Sequence, residues 1–248
     1  MERPRHKILV IILILFLSTN AGASYKSEIY ASYVYNNMAN WKSIIDKMDG
    51  VKHKSLNFMF ELVNYQYGYI AWCVGNKRSD EAKEYLALAE NYISILEKSN
   101  ENQSLVNAYK SAFLGYRMGL NRLLAPYIGL RSIECANLAI NQDKENPFGY
   151  IQSGNIQFYM PPIFGGSKKE ALVYYLEALE IMEKDATDIF ENWNYLNLLI
   201  SIAQSYYYLD DYLTSINYLK KIMEIEPGFK YVKTELYPQV LNKMNNNL

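Results

Sequence analysis

Histidine, cysteine and carboxylate are the side chains from which a reactive centre is most often built, and in this sequence their spacing supports none. The chain has two histidines. One, His6, falls in a leader-like stretch, and the other, His53, lies in the polar join VKHKS that follows Gly50. A single remaining histidine excludes H-E-x-x-H and every other two-histidine metal motif within the chain. No G-x-S-x-G, Walker loop or G-x-G-x-x-G occurs. Glu177, Glu180 and Glu183 recur at the helical spacing of a solvated acidic face, and Asp210 and Asp211 stand where an N-cap is needed. The two cysteines, Cys73 and Cys135, are far too few for a disulfide scaffold, and the periodicity below puts them on different layers. The expectation is a protein that binds and does not catalyse, with no cofactor and no metal.

Aromatic residues offer a different chemistry. There are 24 tyrosines, and aromatics make up 15% of the chain. A tyrosine presents a flat apolar face and a hydroxyl tip, which suits apolar peptide segments, small organic solutes or sugar rings. Counted along the pattern developed below, one inner surface collects Tyr65, Tyr69, Trp72, Tyr109, Tyr116, Phe158, Tyr159, Tyr207 and Tyr208, with the amides of Asn155 and Gln204. Lysine and arginine are nearly absent there, so a basic clamp for peptide carboxylates is not expected. The alternative is that an extra helix or the C-terminal tail fills this groove.

The elements that must position these side chains are helical almost throughout. Tyr30, Tyr33, Met38, Trp41, Ile44, Ile45 and Met48 recur at helical spacing and stop at Gly50, predicting one N-terminal helix within residues 24–52. Four later segments repeat a small, bulky, small spacing: Ala82, Leu86, Ala89; Ser132, Ala136, Ala139; Ala171, Tyr175, Ala178; and Ser215, Leu219, Ile222. Each is preceded by a helix with its own small residue, respectively Gly68, Gly115, Gly154 and Ala203. Small residues on two antiparallel helices let the axes approach closely. The pattern predicts four helical hairpins across residues 53–238, and a polar tail over 239–248.

Between the helices of the third hairpin lies PPIFGGS. Pro161 and Pro162 stop one helix, Gly165 and Gly166 permit a turn, and Ser167 with Glu170 forms a capping box for the next. Pro161, Pro162, Phe164, Gly165 and Gly166 thus make a candidate docking loop, with Phe164 expected to fold back on a neighbour.

The small-residue pattern, best kept from Leu196 to Pro227, resembles the tetratricopeptide repeat, as does AINQDKENP at 139–147. That resemblance implies an all-α, right-handed superhelical solenoid of degenerate hairpins, acting as a protein-protein interaction scaffold. More locally, MPPIFGGSKKEALVYYLEAL resembles the periplasmic T-component of TRAP transporters, which implies instead a solute-binding accessory of a transport or nutrient-capture system.

Compartment and charge bound the partners. Arg3, Arg5 and Lys7 precede ten apolar residues, Ile8 to Leu17, and a small-residue site at Ala21 and Ala23. This reads as an export signal, residues 1–23, cut after Ala23, and places the protein in the periplasm or outside the cell. No cysteine follows the cut to carry a lipid anchor. Removal takes three of 25 Lys plus Arg and one of 26 Asp plus Glu, leaving 22 against 25 and a net charge of about -3. A mildly acidic chain has no electrostatic footprint for nucleic acid, and no later segment is apolar enough to span a membrane. The expected partner is another envelope or secreted protein, or a small organic or sugar ligand.

Overall fold

The computed structural model describes residues 20–246, with side chains from Tyr25 onward. The proposed leader cut lies at the edge of this range, and the side chains around it fall outside the described residues. The described chain is all helix, without strands.

Two helices open it, α1 (Asn20–Val34) and α2 (Met38–Asp49). The single N-terminal helix expected from the periodicity is therefore broken. The break is at Asn36, whose φ of 55° ends one helix, and Asn37, whose side chain accepts the Asn40 N–H to start the next. An apolar spacing that happens to continue across a turn does not reveal it.

Four hairpins follow, as the small-residue pattern predicts: α3 (Leu56–Gly75) with α4 (Ser79–Ser99), α5 (Gln103–Leu120) with α6 (Ala125–Gln142), α7 (Pro147–Tyr159) with α8 (Lys168–Met182), and, after the single turn α9 (Ala186–Ile189), α10 (Trp193–Tyr208) with α11 (Tyr212–Ile225). Short polar side chains start most of them. Ser55, Asn102, Asn146, Ser167, Asn192 and Asp211 each accept an N–H of the first turn, satisfying donors that the helix itself leaves free. Successive hairpins stack side by side in a solenoid-like array. A π-helical turn, Val232–Leu236, runs into α12 (Tyr237–Asn245), so the stretch from residue 239 expected to be a polar tail is helical as far as Asn245. Val232, Leu236 and Val240 are buried against α11, so three apolar residues at four-residue spacing outweigh the polar ones around them.

The close approaches differ in detail from the expected pairs. In the fourth hairpin the pairing holds, with Ser215 Oγ donating to the Ala203 carbonyl at 2.7 Å. In the second, the contact is Ser111 to Ser132, each hydroxyl reaching the other's carbonyl at 2.8 and 2.9 Å, while a Cβ on Gly115 would meet open space. In the third, Gly154 makes room for the ring of Tyr175, which would lie 2.4 Å from a Cβ there. In the first, the space at Gly68 is taken by the indoles of Trp41 and Trp193, at 2.7 and 2.8 Å from where a Cβ would sit.

That last contact shows how the array closes. Trp193 begins the fourth hairpin, yet it reaches the first helix of the first hairpin, and Trp41 of α2 meets it with rings 5.1 Å apart. Tyr33 of α1 packs on Trp41, Trp193 and Phe229. Polar ties hold the N-terminal pair on both sides: Tyr85 and Tyr92 donate to Asp46 and Asp49 of α2, and Tyr30 donates to Glu226 at 2.8 Å. Helices α1 and α2 therefore wedge between the first hairpin and the last.

Candidate functional site

The predicted aromatic groove divides into a closed part and an open one. Tyr65, Tyr69 and Tyr109 are buried, Tyr69 and Tyr109 to 2% exposure. Their hydroxyls or rings are occupied by the protein itself. Tyr65 donates to Glu61 and Tyr69 to Glu81, both at 2.7 Å, and the Tyr109 ring lies against Tyr67, Phe113 and Phe148. Tyr116 is half-buried, stacked on Tyr67 and donating to its carbonyl at 3.1 Å. Trp72 is half-buried, stacked on Tyr69 with Arg78 over its face. These residues of the first two hairpins form a wall of the core.

In the third and fourth hairpins the same surface is open. Phe158 is buried and central, with Tyr159 edge-on at 5.0 Å on one side and Tyr208 edge-on at 5.5 Å on the other. Tyr159 is 75% exposed and Tyr208 58%. Although its ring faces solvent, the Tyr159 phenol is pushed up from the ordinary tyrosine value, mainly by desolvation, with the phenols of Tyr67, Tyr208 and Tyr231 adding to it. Behind it runs a polar relay in which Asn155 donates to Gln152 at 3.2 Å and accepts from Tyr175 at 2.8 Å. Gln204, Tyr207 and Tyr208 line a recess of about 40 Å³ closed by Leu236, Gln239 and Val240, space for a water and little more.

The PPIFGG loop leaves this ledge directly. Gly165 has φ of 95° and donates to the Pro162 carbonyl, and a Cβ on Gly166 would sit 1.8 Å from the Met160 carbonyl oxygen, so both glycines are obligatory. Only half of the expected capping box forms: Ser167 accepts from the Glu170 N–H at 3.2 Å, while its own N–H donates to the Gln157 carbonyl at 3.0 Å. Phe164, expected to fold back, is 72% exposed, and Ile163 beside it is more so. A turn held by backbone hydrogen bonds and glycine geometry does not need the ring as an anchor.

Two features escaped the sequence reading. Lys168, first residue of α8, holds its ammonium 3.6 Å over Phe158 and 5.1 Å from the Tyr208 ring, and donates to the Phe158 carbonyl. Its spacing from Phe158 through an irregular loop gave no periodic signal. Tyr67, between two residues that were singled out, joins the rings of Tyr109, Tyr116, Phe148 and Trp193. Its burial on both sides could be read only once the array was known to close.

His53 is exposed in the join between α2 and α3, Cys73 and Cys135 are buried free thiols, and no cluster of three metal-ligating side chains occurs among the described residues. Among the described residues no helix is long and apolar enough to cross a membrane.

The fold of stacked helical hairpins is similar to that of a solved structure. The chain superposes on the HusA haemophore from Porphyromonas gingivalis with a TM-score of 0.58 at 17% sequence identity, covering 74% of this chain and 92% of that one. At that identity the likeness is one of fold. No family model matches the chain, and no curated protein does.

Proposed function

We propose that this chain is an exported, non-catalytic binding protein of the nutrient-capture kind, taking a flat, largely apolar ring ligand of the porphyrin class on the ledge of Tyr159, Phe158 and Tyr208. The observation that carries the reading is the ledge: two open aromatic side chains packed edge-on against a buried third, in a molecule that buries or half-buries most of its other large rings. Exposed contiguous apolar surface is costly to keep without something to cover it. The structural neighbour is a haemophore, which supports a ligand of this size and shape. The 40 Å³ recess under Tyr208 is far too small to enclose one, so the ligand lies across the ledge, with Phe164 and Ile163 of the loop available to cover its free face.

The test is a titration of haem into the full-length exported protein, followed by its Soret absorbance. Parent protein should saturate at one haem per chain. The double variant Tyr159→Ala, Tyr208→Ala should bind at least about tenfold more weakly, as truncated aromatic anchors usually do. Saturable binding that ignores both substitutions would place the ligand elsewhere, and no binding by the parent would remove the porphyrin class.

A second reading, docking on another envelope protein, is favoured by a separate surface. Leu123, Tyr127 and Leu130 are all highly exposed at the turn of the second hairpin, near a cleft of about 240 Å³ walled by Leu86, Ala87, Leu120 and Leu124. Leu130→Glu would abolish such docking and leave haem binding unchanged.

A further inference from the structure

The ledge holds a cation with no counter-charge. Among the described residues Lys168 makes no ion pair, whereas Lys42, Lys110, Lys184 and Lys221 each lie within 3.0 Å of a carboxylate oxygen. Desolvation alone lowers its pKa from the ordinary lysine value, and no carboxylate raises it. Its present partners are the Phe158 carbonyl and two ring faces. An ammonium has three N–H donors; one is used by the carbonyl, and the other two meet ring faces and no oxygen acceptor among the described residues. Cation–π contact with Phe158 and Tyr208 fixes where the charge sits, directly above the ring that the ledge is built around.

From this geometry we propose that Lys168 is the specificity-determining residue of the ledge, selecting flat ligands that carry a carboxylate by pairing with it at the ring's edge. The inference rests on the ring-binding reading above and adds what that reading leaves open, the charge of the ligand. Stacking on Tyr159 and Tyr208 accepts any flat apolar ring. A half-desolvated ammonium on the same surface discriminates, because an uncharged ring that covers it removes its water and returns nothing, whereas a carboxylate forms a charge-assisted hydrogen bond. Haem, with two propionate carboxylates on one edge of the macrocycle, satisfies both demands at once, while its dimethyl ester satisfies only the first.

The experiment compares haem with haem dimethyl ester on the full chain, as parent, Lys168→Met and Lys168→Arg. The parent should hold the acid at least about tenfold more tightly than the ester, in keeping with a charge-assisted bond. Lys168→Met should lose that preference from both sides, weakening acid binding and, with no ammonium left to desolvate, strengthening ester binding, and Lys168→Arg should keep it. Ester binding by each variant reports that the ledge is still folded, and the parent comparison needs no variant. Equal binding of acid and ester by the parent, or an unchanged ratio in Lys168→Met, would overturn the role of Lys168 while leaving the ring-binding reading in place. Failure of the parent to bind either compound would overturn both.

Discussion

The first two hairpins and the last two present their aromatic residues so differently that they serve different ends. In the first two, Tyr65, Tyr69 and Tyr109 are buried in the core, with the hydroxyls of Tyr65 and Tyr69 spent on Glu61 and Glu81 and the Tyr109 ring on Tyr67, Phe113 and Phe148. In the last two, Tyr159 and Tyr208 stand open around Phe158. Composition is similar in both halves, and the repeat register aims both sets inward. What separates them is packing: Trp41 and Trp193 meet over Gly68 and tie α2 and the start of α10 to the first hairpin, whereas Tyr159 and Tyr208, at the far ends of α7 and α10, stay exposed. Aromatic content alone therefore says nothing about a binding site until the closure of the array is known.

The largest effect should come from breaking that closure. Trp41→Ala removes a fully buried indole whose Nε1 donates to the Tyr65 carbonyl at 2.9 Å, and should cost about 3 to 5 kcal/mol, read as a lower denaturation midpoint. A midpoint within error of the parent would mean that α1 and α2 are an appendage and the first two hairpins fold without them.

Two tyrosines sharpen the contrast. Tyr109→Ala, in the sealed half, should destabilise by about 3 kcal/mol or more, whereas Tyr159→Ala, in the open half, should stay within about 0.5 kcal/mol of the parent and lose ligand affinity instead. Equal melting temperatures for the two variants would erase the distinction.

The sealed tyrosines also set the alkaline limit. Desolvation first, and then a hydrogen bond to a carboxylate, raises the pKa of Tyr69, Tyr85, Tyr92 and Tyr195 well above the ordinary value. Below about pH 10 these phenols are neutral in folded and unfolded chains alike and their contribution is intact. Above it the unfolded chain ionises first, so stability falls as pH rises. Melting temperature should drop steadily between about pH 9.5 and 11.5, with most tyrosinate absorbance appearing together with loss of the helical circular dichroism. Complete tyrosinate formation in a chain that stays helical would contradict this burial.

The smallest effect belongs to the loop. Phe164→Ser should leave stability within about 0.5 kcal/mol and helix content unchanged, because the turn is held by Gly165, Gly166 and their backbone bonds. Marked destabilisation would show that the ring packs after all.

Hairpin boundaries were legible because small residues at fixed spacing, N-capping asparagines and two adjacent prolines are local signals. The pairing of Ser215 with Ala203 follows from them directly. What local pattern could not carry was anything that depends on which surfaces meet at a distance. Gly115 and Ser111 are both small and one turn apart, and only packing selects Ser111. The break at Asn36 keeps apolar spacing on both sides, so periodicity ran through it. In the site, Tyr159, Phe158 and Tyr208 were named from the register, but the exposure of Tyr159 and Tyr208 against the burial of Tyr69 and Tyr109 depends on which rings meet across the array, as Tyr109 meets Phe148. Lys168 joins them only through the geometry of the PPIFGG turn.

The most direct test of the open-half account is hydrogen exchange measured peptide by peptide on the full chain, with and without saturating haem. The account predicts added protection confined to residues 157–168 and 204–213, the ends of α7 and α10 and the turns that follow them. Protection centred instead on residues 38–75, where α2 and α3 pack around Trp41, would contradict it and put the ligand in the half that the structure shows sealed.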